Sequence, residues 1–257
     1  MIYTYNTVPT QEPFVLWDNI LLKGTFSTVS GGIGENVLTD TTNDYWTPNS
    51  VPANVYTELS ESMWVNTLGI SSHNLGSNNC TIQVRAGASY DLVAEFTPED
   101  DTTIILQFPR TQSQYWRVRV SAGDDTPSIG NIMLGERLYF ESGITLGYTP
   151  MWMSEQIELL SNTSRNGHFL GNRVIKKTGS TSFDLNILER DFVEGDDFQA
   201  FRNHYNDGNS FYFSSNAFEL PKDVGYCRRS EGSVLSPRFG SSGIFYEMGL
   251  DLEVFLG

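Results

Sequence analysis

Apolar and polar residues alternate with a period of two over much of this chain, most cleanly from Gln114 to Ser121. There Tyr115, Arg117 and Arg119 fall on one side, and Trp116, Val118 and Val120 on the other. A period of two with one apolar side predicts a half-buried antiparallel strand. The stretch Ser62–Val84 predicts two strands joined by a polar turn: Trp64, Leu68 and Ile70 lead into Ser71–Gly76, and the run Cys80–Val84 follows. Thr, Ile and Val suit a pleated surface, while Asn and Gly accept turn geometry. Thr103–Phe108 adds a short apolar strand. Ile129–Leu134 and Arg137–Phe140 supply closing strands, with Gly130 and Gly135 marking bends or a bulge. Met1–Pro13 reads as an arm or a first edge strand. Phe14–Ile20 and Leu21–Val29 are apolar runs with turn-like breaks, and Ser50–Tyr56 is loop, because Pro52 argues against a central strand.

Ser142–Met153 mixes Gly, Pro and large apolar residues and divides the chain into two units, 1–150 and 151–257. Within it, Trp152 between Met151 and Met153 reads as a joint that packs against a domain or subunit face. Glu155–Leu160 starts a further element. Gly167–Val174 and Lys176–Leu188 are two candidate strands; Phe183, Leu185 and Ile187 alternate with Asp184, Asn186 and, as a blemish, Leu188. Glu189–Tyr205 is the helix candidate. Phe198, Phe201 and Tyr205 recur at helical spacing, and Asp196 and Asp197 suit a first turn, where partial positive charge accumulates. Ser210–Ser214, Val224–Arg229 and Gly243–Phe255 read as later strands, with Glu247, Asp251 and Glu253 exposed on the last.

Composition narrows the function. With 257 residues, 39% of them hydrophobic and 13% aromatic, the chain can bury a sizeable core. Its formal net charge of -15 argues against nucleic acid as a partner, since phosphate binding needs clustered positive charge. No apolar run approaches the length of a membrane span, and no signal peptide is visible, so synthesis in a cytoplasm is expected. Cys80 and Cys227 are far apart and read as two reduced, buried thiols rather than a disulfide.

Several residues carry candidate chemistry. Gly31-Gly32-Ile33-Gly34 lacks the Gly-Lys-Ser/Thr that a phosphate loop needs, so it is a turn. Asp40 and Asp44 bracket a polar loop ending in Tyr45 and Trp46. Carboxylates on a tight loop suit a hard cation such as calcium; the competing reading has them capping the turn while Trp46 seals the end of a sandwich. The second reading is preferred, and no metal or other cofactor is expected. His73, beside Asn74 at a strand end, fits a hydrogen-bonded turn. Arg117 and Arg119 either pair with local carboxylates or meet an acidic partner. Arg228 and Arg229 suit a surface salt bridge better than a bound phosphate. His168 and His204 sit in no metal-ligand or nucleophile motif, so no enzyme is expected. An acidic, histidine-poor chain rich in Tyr, Trp and Phe suits surfaces that bind other proteins. The candidate contact residues are thus Trp46, His73, Asn74, Arg117, Arg119, Trp152, Arg228 and Arg229.

The order of these signals resembles a known sandwich. An Asp/Asn turn ends at Trp46, a strand ends at His73-Asn74-Leu75-Gly76, and Tyr115–Val120 is followed by Ser128–Gly135. Over Val29–Phe140 this is similar to the discoidin or galactose-binding-like jelly roll of tailed-phage virion proteins, whose relatives include carbohydrate-binding modules. The second half resembles phage tail-tube and distal-tail domains, through the helix carrying Phe198 and Phe201, the Asp207-Gly208-Asn209 turn and Phe211-Tyr212-Phe213. The resemblance implies a mainly β fold: a jelly-roll sandwich in 1–150 and a β domain with one helix in 151–257. It implies a structural protein of the virion tail, self-associating as a ring or serving as an adaptor between the tail tube and host-recognition components. Its partners would be other tail proteins. The alternative it leaves is a carbohydrate-binding module that attaches to cell-surface glycan. The domain order is unlike that of the commonest distal tail protein, in which the tube-like domain comes first.

Overall fold

The computed structural model describes residues 1–121, 123–145, 147–240 and 243–256. Two long strands form the spine of the first unit, β4 (Ala53–His73) and β7 (Ile104–Ser121). Their mutual register slips between Glu58 and Met63 and again between Val65 and Thr67, so both strands pass from one layer to another. On one side of the slip lie β3 (Thr25–Val29), β5 (Thr81–Ala86) and β6 (Asp91–Phe96), giving a layer in the order β3-β4-β7-β5-β6. On the other side, β8 (Ile129–Gly135) pairs with β4, and β1 (Ile2–Thr4) lies parallel to β7. The inner sides meet around Trp46, Leu68, Ile70, Ile82, Val84 and Trp116.

The expected mainly β sandwich is therefore present, with several changes of detail. Thr103–Phe108 and Gln114–Ser121 belong to a single strand, not two. Pro109 falls outside the paired register, so its missing amide hydrogen breaks no ladder bond. Pro52 likewise precedes β4, which begins at Ala53 rather than beyond Tyr56.

The two layers differ in what lies outside them. Along β5, buried and half-buried residues alternate, so the outer side of that layer is open. Every residue of β8, and of β4 from Val65 to His73, is buried. The second unit supplies the cover. Its sheet runs β10 (Glu155–Thr163), β11 (Phe169–Leu188), β15 (Tyr246–Phe255), β13 (Val224–Arg229), β12 (Phe211–Ser214), β2 (Phe14–Leu16), β9 (Leu138–Tyr139), with β14 (Arg238–Phe239) on β15. Phe14, Leu16, Tyr212 and Tyr226 of this sheet pack with Ile2, Ile105 and Met133 of the sandwich. The Tyr212 hydroxyl donates to Asn131 Oδ1 at 2.9 Å. Its ring fills the space a side chain at Gly69 would need, since a Cβ there would lie 2.6 Å from a ring carbon.

Two strands of this second sheet precede residue 150. Phe14-Val15-Leu16 is apolar on both sides, which suits a strand sandwiched between layers. Arg137–Phe140, expected to close the sandwich, contributes β9 to this sheet instead. The other side of the sheet carries Val15, Phe211 and Phe213 against Phe198, Phe201 and Tyr205.

The single expected helix is two, α1 (Arg190–Glu194) and α2 (Asp196–Asn206). Gly195 between them is extended, with φ -69° and ψ 148°, and interrupts the helical ladder. The two strands expected between Gly167 and Leu188 are one, β11. The blemish in its alternation is a bulge. Ile187 takes a left-handed φ of 66° and is exposed, and Leu188 turns into the core in its place.

Candidate functional site

The open side of the sandwich collects side chains from β4, β5 and β7. Tyr56 is paired with Arg117, Arg117 with Arg85, and Arg119 with Gln83. Strand alternation puts all five on the outer side, above the buried residues Trp116, Val118, Val84 and Val55. The β5–β6 turn adds Tyr90. Gly87, at φ 85°, donates its amide to the Tyr115 carbonyl at 3.0 Å, and the Tyr90 amide returns to the Gly87 carbonyl at 3.0 Å. Tyr90 itself is left-handed at φ 54°, a conformation that costs a tyrosine energy and that neighbouring contacts must hold. Its ring meets Tyr56 edge-on with centroids 5.5 Å apart. The Arg117 guanidinium lies 4.8 Å from the Tyr90 centroid and 5.9 Å from that of Tyr56. Such cation–aromatic contacts contribute about 0.5–1 kcal/mol each when solvent-accessible.

Hydrogen bonds fix the rest of the face. Arg85 Nε donates to Gln83 Oε1 at 3.0 Å, and a terminal nitrogen of Arg85 donates to the Tyr90 carbonyl at 3.2 Å. Gln83 in turn donates to the Glu95 carboxylate. Burial, with Tyr56 second, raises the Tyr90 phenol above its usual range, and Arg117 opposes the shift. Among the described residues, Arg85, Arg117 and Arg119 have no carboxylate within ion-pair distance, whereas Lys23, Arg110, Lys177, Arg190, Arg228 and Arg238 each have one. Among the described residues, the buried Arg117 Nε, Arg119 Nε and Asn54 Oδ1 have no hydrogen-bond partner.

The residues singled out from the sequence fall into three places. Arg117 and Arg119 lie together on this face. Trp46, His73 and Asn74 lie at one end of the sandwich and are bound into it. Trp46 is 0% exposed, its indole nitrogen donating to the Gly31 carbonyl at 2.9 Å, so it has no surface to offer a ligand. His73 accepts the Leu75 amide at Nδ1 (3.2 Å), which leaves Nε2 to donate to the Thr102 carbonyl at 2.9 Å. Burial lowers its pKa to about 4, against the opposing pull of Thr102, Asp101 and Asp100. Asn74 Oδ1 accepts the Ser128 amide at 2.6 Å. In the adjoining loop, Thr41 donates to Asp44 at 3.0 Å and Asn36 to the Tyr45 carbonyl at 2.8 Å, the pattern of a capped turn.

Trp152 and Arg228 line a third place, a cleft of about 630 Å³ between the two units that also holds Asp40, Glu155 and Lys177. Trp152 is 51% exposed, while its neighbour Met151 is buried in the second core beside Cys227. The cleft's Arg228 pairs with Glu253 at 2.7 Å and its Lys177 with Glu155 at 2.8 Å. Arg229 instead donates to the Ser233 carbonyl at 2.7 Å. Cys80 and Cys227 are free and buried.

Sequence reasoning missed Tyr56, Tyr90, Gln83 and Arg85. Thr81–Ala86 has the same alternation as Gln114–Ser121, which places Gln83 and Arg85 on an outer side. The pairing of Arg85 with Arg117 is a long-range register that periodicity does not contain.

Two of the three histidines are bound into the fold. His73 is held as above, and His204 Nε2 bonds the Ser210 carbonyl at 2.8 Å with its ring against Trp17. Among the described residues, no cluster of three or more His, Cys, Asp or Glu is placed to hold a metal, and no helix is long and apolar enough to cross a membrane.

No family model and no curated protein matches the chain. Solved structures do. The family 32 carbohydrate-binding module of C. perfringens NanJ, in complex with galactose, aligns at 17% identity and TM-score 0.39, over 49% of this chain and 99% of that one. A chitosan-binding module of a Paenibacillus chitosanase/glucanase aligns at 18% and 0.39, over 46% and 99%. A putative α-L-fucosidase from Bacteroides thetaiotaomicron aligns at 16% and 0.41, over 48% of this chain and 29% of that one. The first unit is a β-sandwich resembling carbohydrate-binding modules. At these scores the likeness is one of fold and identifies no ligand. The resemblance to phage-tail proteins is corrected by these matches, which are to sugar-binding modules and a glycosidase.

Proposed function

We propose that this chain is a non-catalytic glycan-binding protein whose contact surface is the open outer side of the sandwich. The observation that carries the reading is the asymmetry between layers. One outer side is sealed by the second sheet; the other stays open and presents Tyr56, Tyr90 and Tyr115 among Gln83 and three arginines. Tyrosines offer an apolar body and a polar tip, which suits the apolar C–H side of a sugar ring and its hydroxyls. Amide and guanidinium groups supply planar donors at fixed positions. The strand register holds these groups before any ligand arrives, which lowers the ordering cost of binding.

Calorimetric titration against a panel of oligosaccharides tests this. The sugars named in the matched structures set the first probes. Binding by the intact chain, weakened about tenfold by Tyr90→Ala while that variant still unfolds in one cooperative transition, is the expected result. Absence of binding across the panel, or binding untouched by Tyr90→Ala and Tyr56→Ala together, would overturn the proposal.

A further inference from the structure

The same face indicates which glycans it takes. We infer, resting on the reading above, that the ligand is an anionic glycan bearing carboxylate or sulfate groups, recognised by Arg85, Arg117 and Arg119. The chain carries a net charge of -15, yet these three cations are neighbours: Arg85 directly opposite Arg117 across a strand pair, Arg119 two residues further along β7. Successive outward positions on a strand lie about 6–7 Å apart. Like charges placed side by side repel, and in a chain with 31 carboxylates a partner for each would be easy to supply.

Elsewhere the protein does supply such partners, as the Arg110–Glu136 and Arg228–Glu253 pairs illustrate. On this face, among the described residues, it does not. Glu95 is engaged by Gln83, and Glu58 lies opposite Tyr115, one step removed from Arg117. Two of the three guanidinium groups keep a buried Nε without a partner among the described residues. Arg117 is also held by Tyr56 and Tyr90, its guanidinium 5.9 and 4.8 Å from their ring centroids. A planar guanidinium fixed in this way matches a carboxylate or sulfate through paired N–H donors, and the neighbouring tyrosines take the sugar ring that carries it.

Matched probes decide the matter: a hexuronate trisaccharide and its methyl ester, and a sulfated galactan trisaccharide and its desulfated counterpart. Each is titrated into wild type, Arg117→Gln and Arg85→Gln at low and high salt, with thermal unfolding as the folding control. The inference expects an acidic probe to bind at least tenfold more tightly than its neutral counterpart. It also expects a loss of about tenfold or more in each variant, and weakening as salt rises. The uronate and sulfate arms show which anion is preferred. Equal affinity for charged and neutral probes would overturn the anionic assignment while leaving glycan binding in place. Binding of none of them, together with a failed neutral panel, would overturn both.

Discussion

Lowering the pH from 7 to 5 should destabilise this protein through one identifiable side chain. His73 is 8% exposed, and both ring nitrogens are engaged by the backbone. Taking up a proton would strip Nδ1 of its role as acceptor for the Leu75 amide and place a charge in a site that water barely reaches. Burial is the dominant cause of the shift from 6.5 to about 4; the Met1 amine adds to it, and Thr102, Asp101 and Asp100 oppose it. The sign follows from proton counts. Between these two values the unfolded chain binds the proton and the folded chain does not, so stability is full above about 6.5 and falls as pH drops toward 4. At pH 5 the loss from this group is about 2 kcal/mol relative to pH 7. Urea unfolding at the two pH values measures it. His73→Gln should be less stable at pH 7 yet show a pH dependence flatter by about 2 kcal/mol. Parallel pH curves for wild type and variant would refute the reasoning.

Other consequences concern the layers. Gly69→Ala places a methyl carbon against the Tyr212 ring and should cost about 1–3 kcal/mol, with both units unfolding in one transition; an unchanged melting temperature would show the two are not in this contact. Asp223 accepts from Tyr148 Oη and the Met151 amide, each at 2.7 Å, and from Ser215, clasping the linker to the second sheet. Asp223→Ala should therefore cost about 3 kcal/mol by chemical denaturation, and a cost below about 1 kcal/mol would contradict that role. The hairpin of β10 and the first half of β11 is exposed along its length, so its amides should exchange with deuterium well before those of β4 and β8; slow exchange there would contradict it.

Much of the fold was legible because period-two alternation reports a strand with one wet side. Arg117 and Arg119 were read outward from that pattern alone, and Phe198, Phe201 and Tyr205 inward from helical spacing. Legibility fails where both sides of a strand are buried. Phe14-Val15-Leu16 and Phe211-Tyr212-Phe213 have no polar side, so nothing local tells which layer each residue faces or that the two segments pair. It fails also at local breaks: Gly195 splits the helix and Ile187 flips the strand phase, both through backbone geometry that apolar spacing does not encode. The candidate site was half visible. Two of its arginines lay on one strand; Arg85, Tyr56 and Tyr90 joined them only through cross-strand register.

The central claim is where a sugar would sit, and amide chemical-shift mapping answers that most directly. On titration with the best-bound oligosaccharide, the amides of Tyr56, Gln83, Arg85, Tyr90, Arg117 and Arg119 should move most. Shifts confined to the cleft around Trp152 and Arg228, with these six unmoved, would contradict the account.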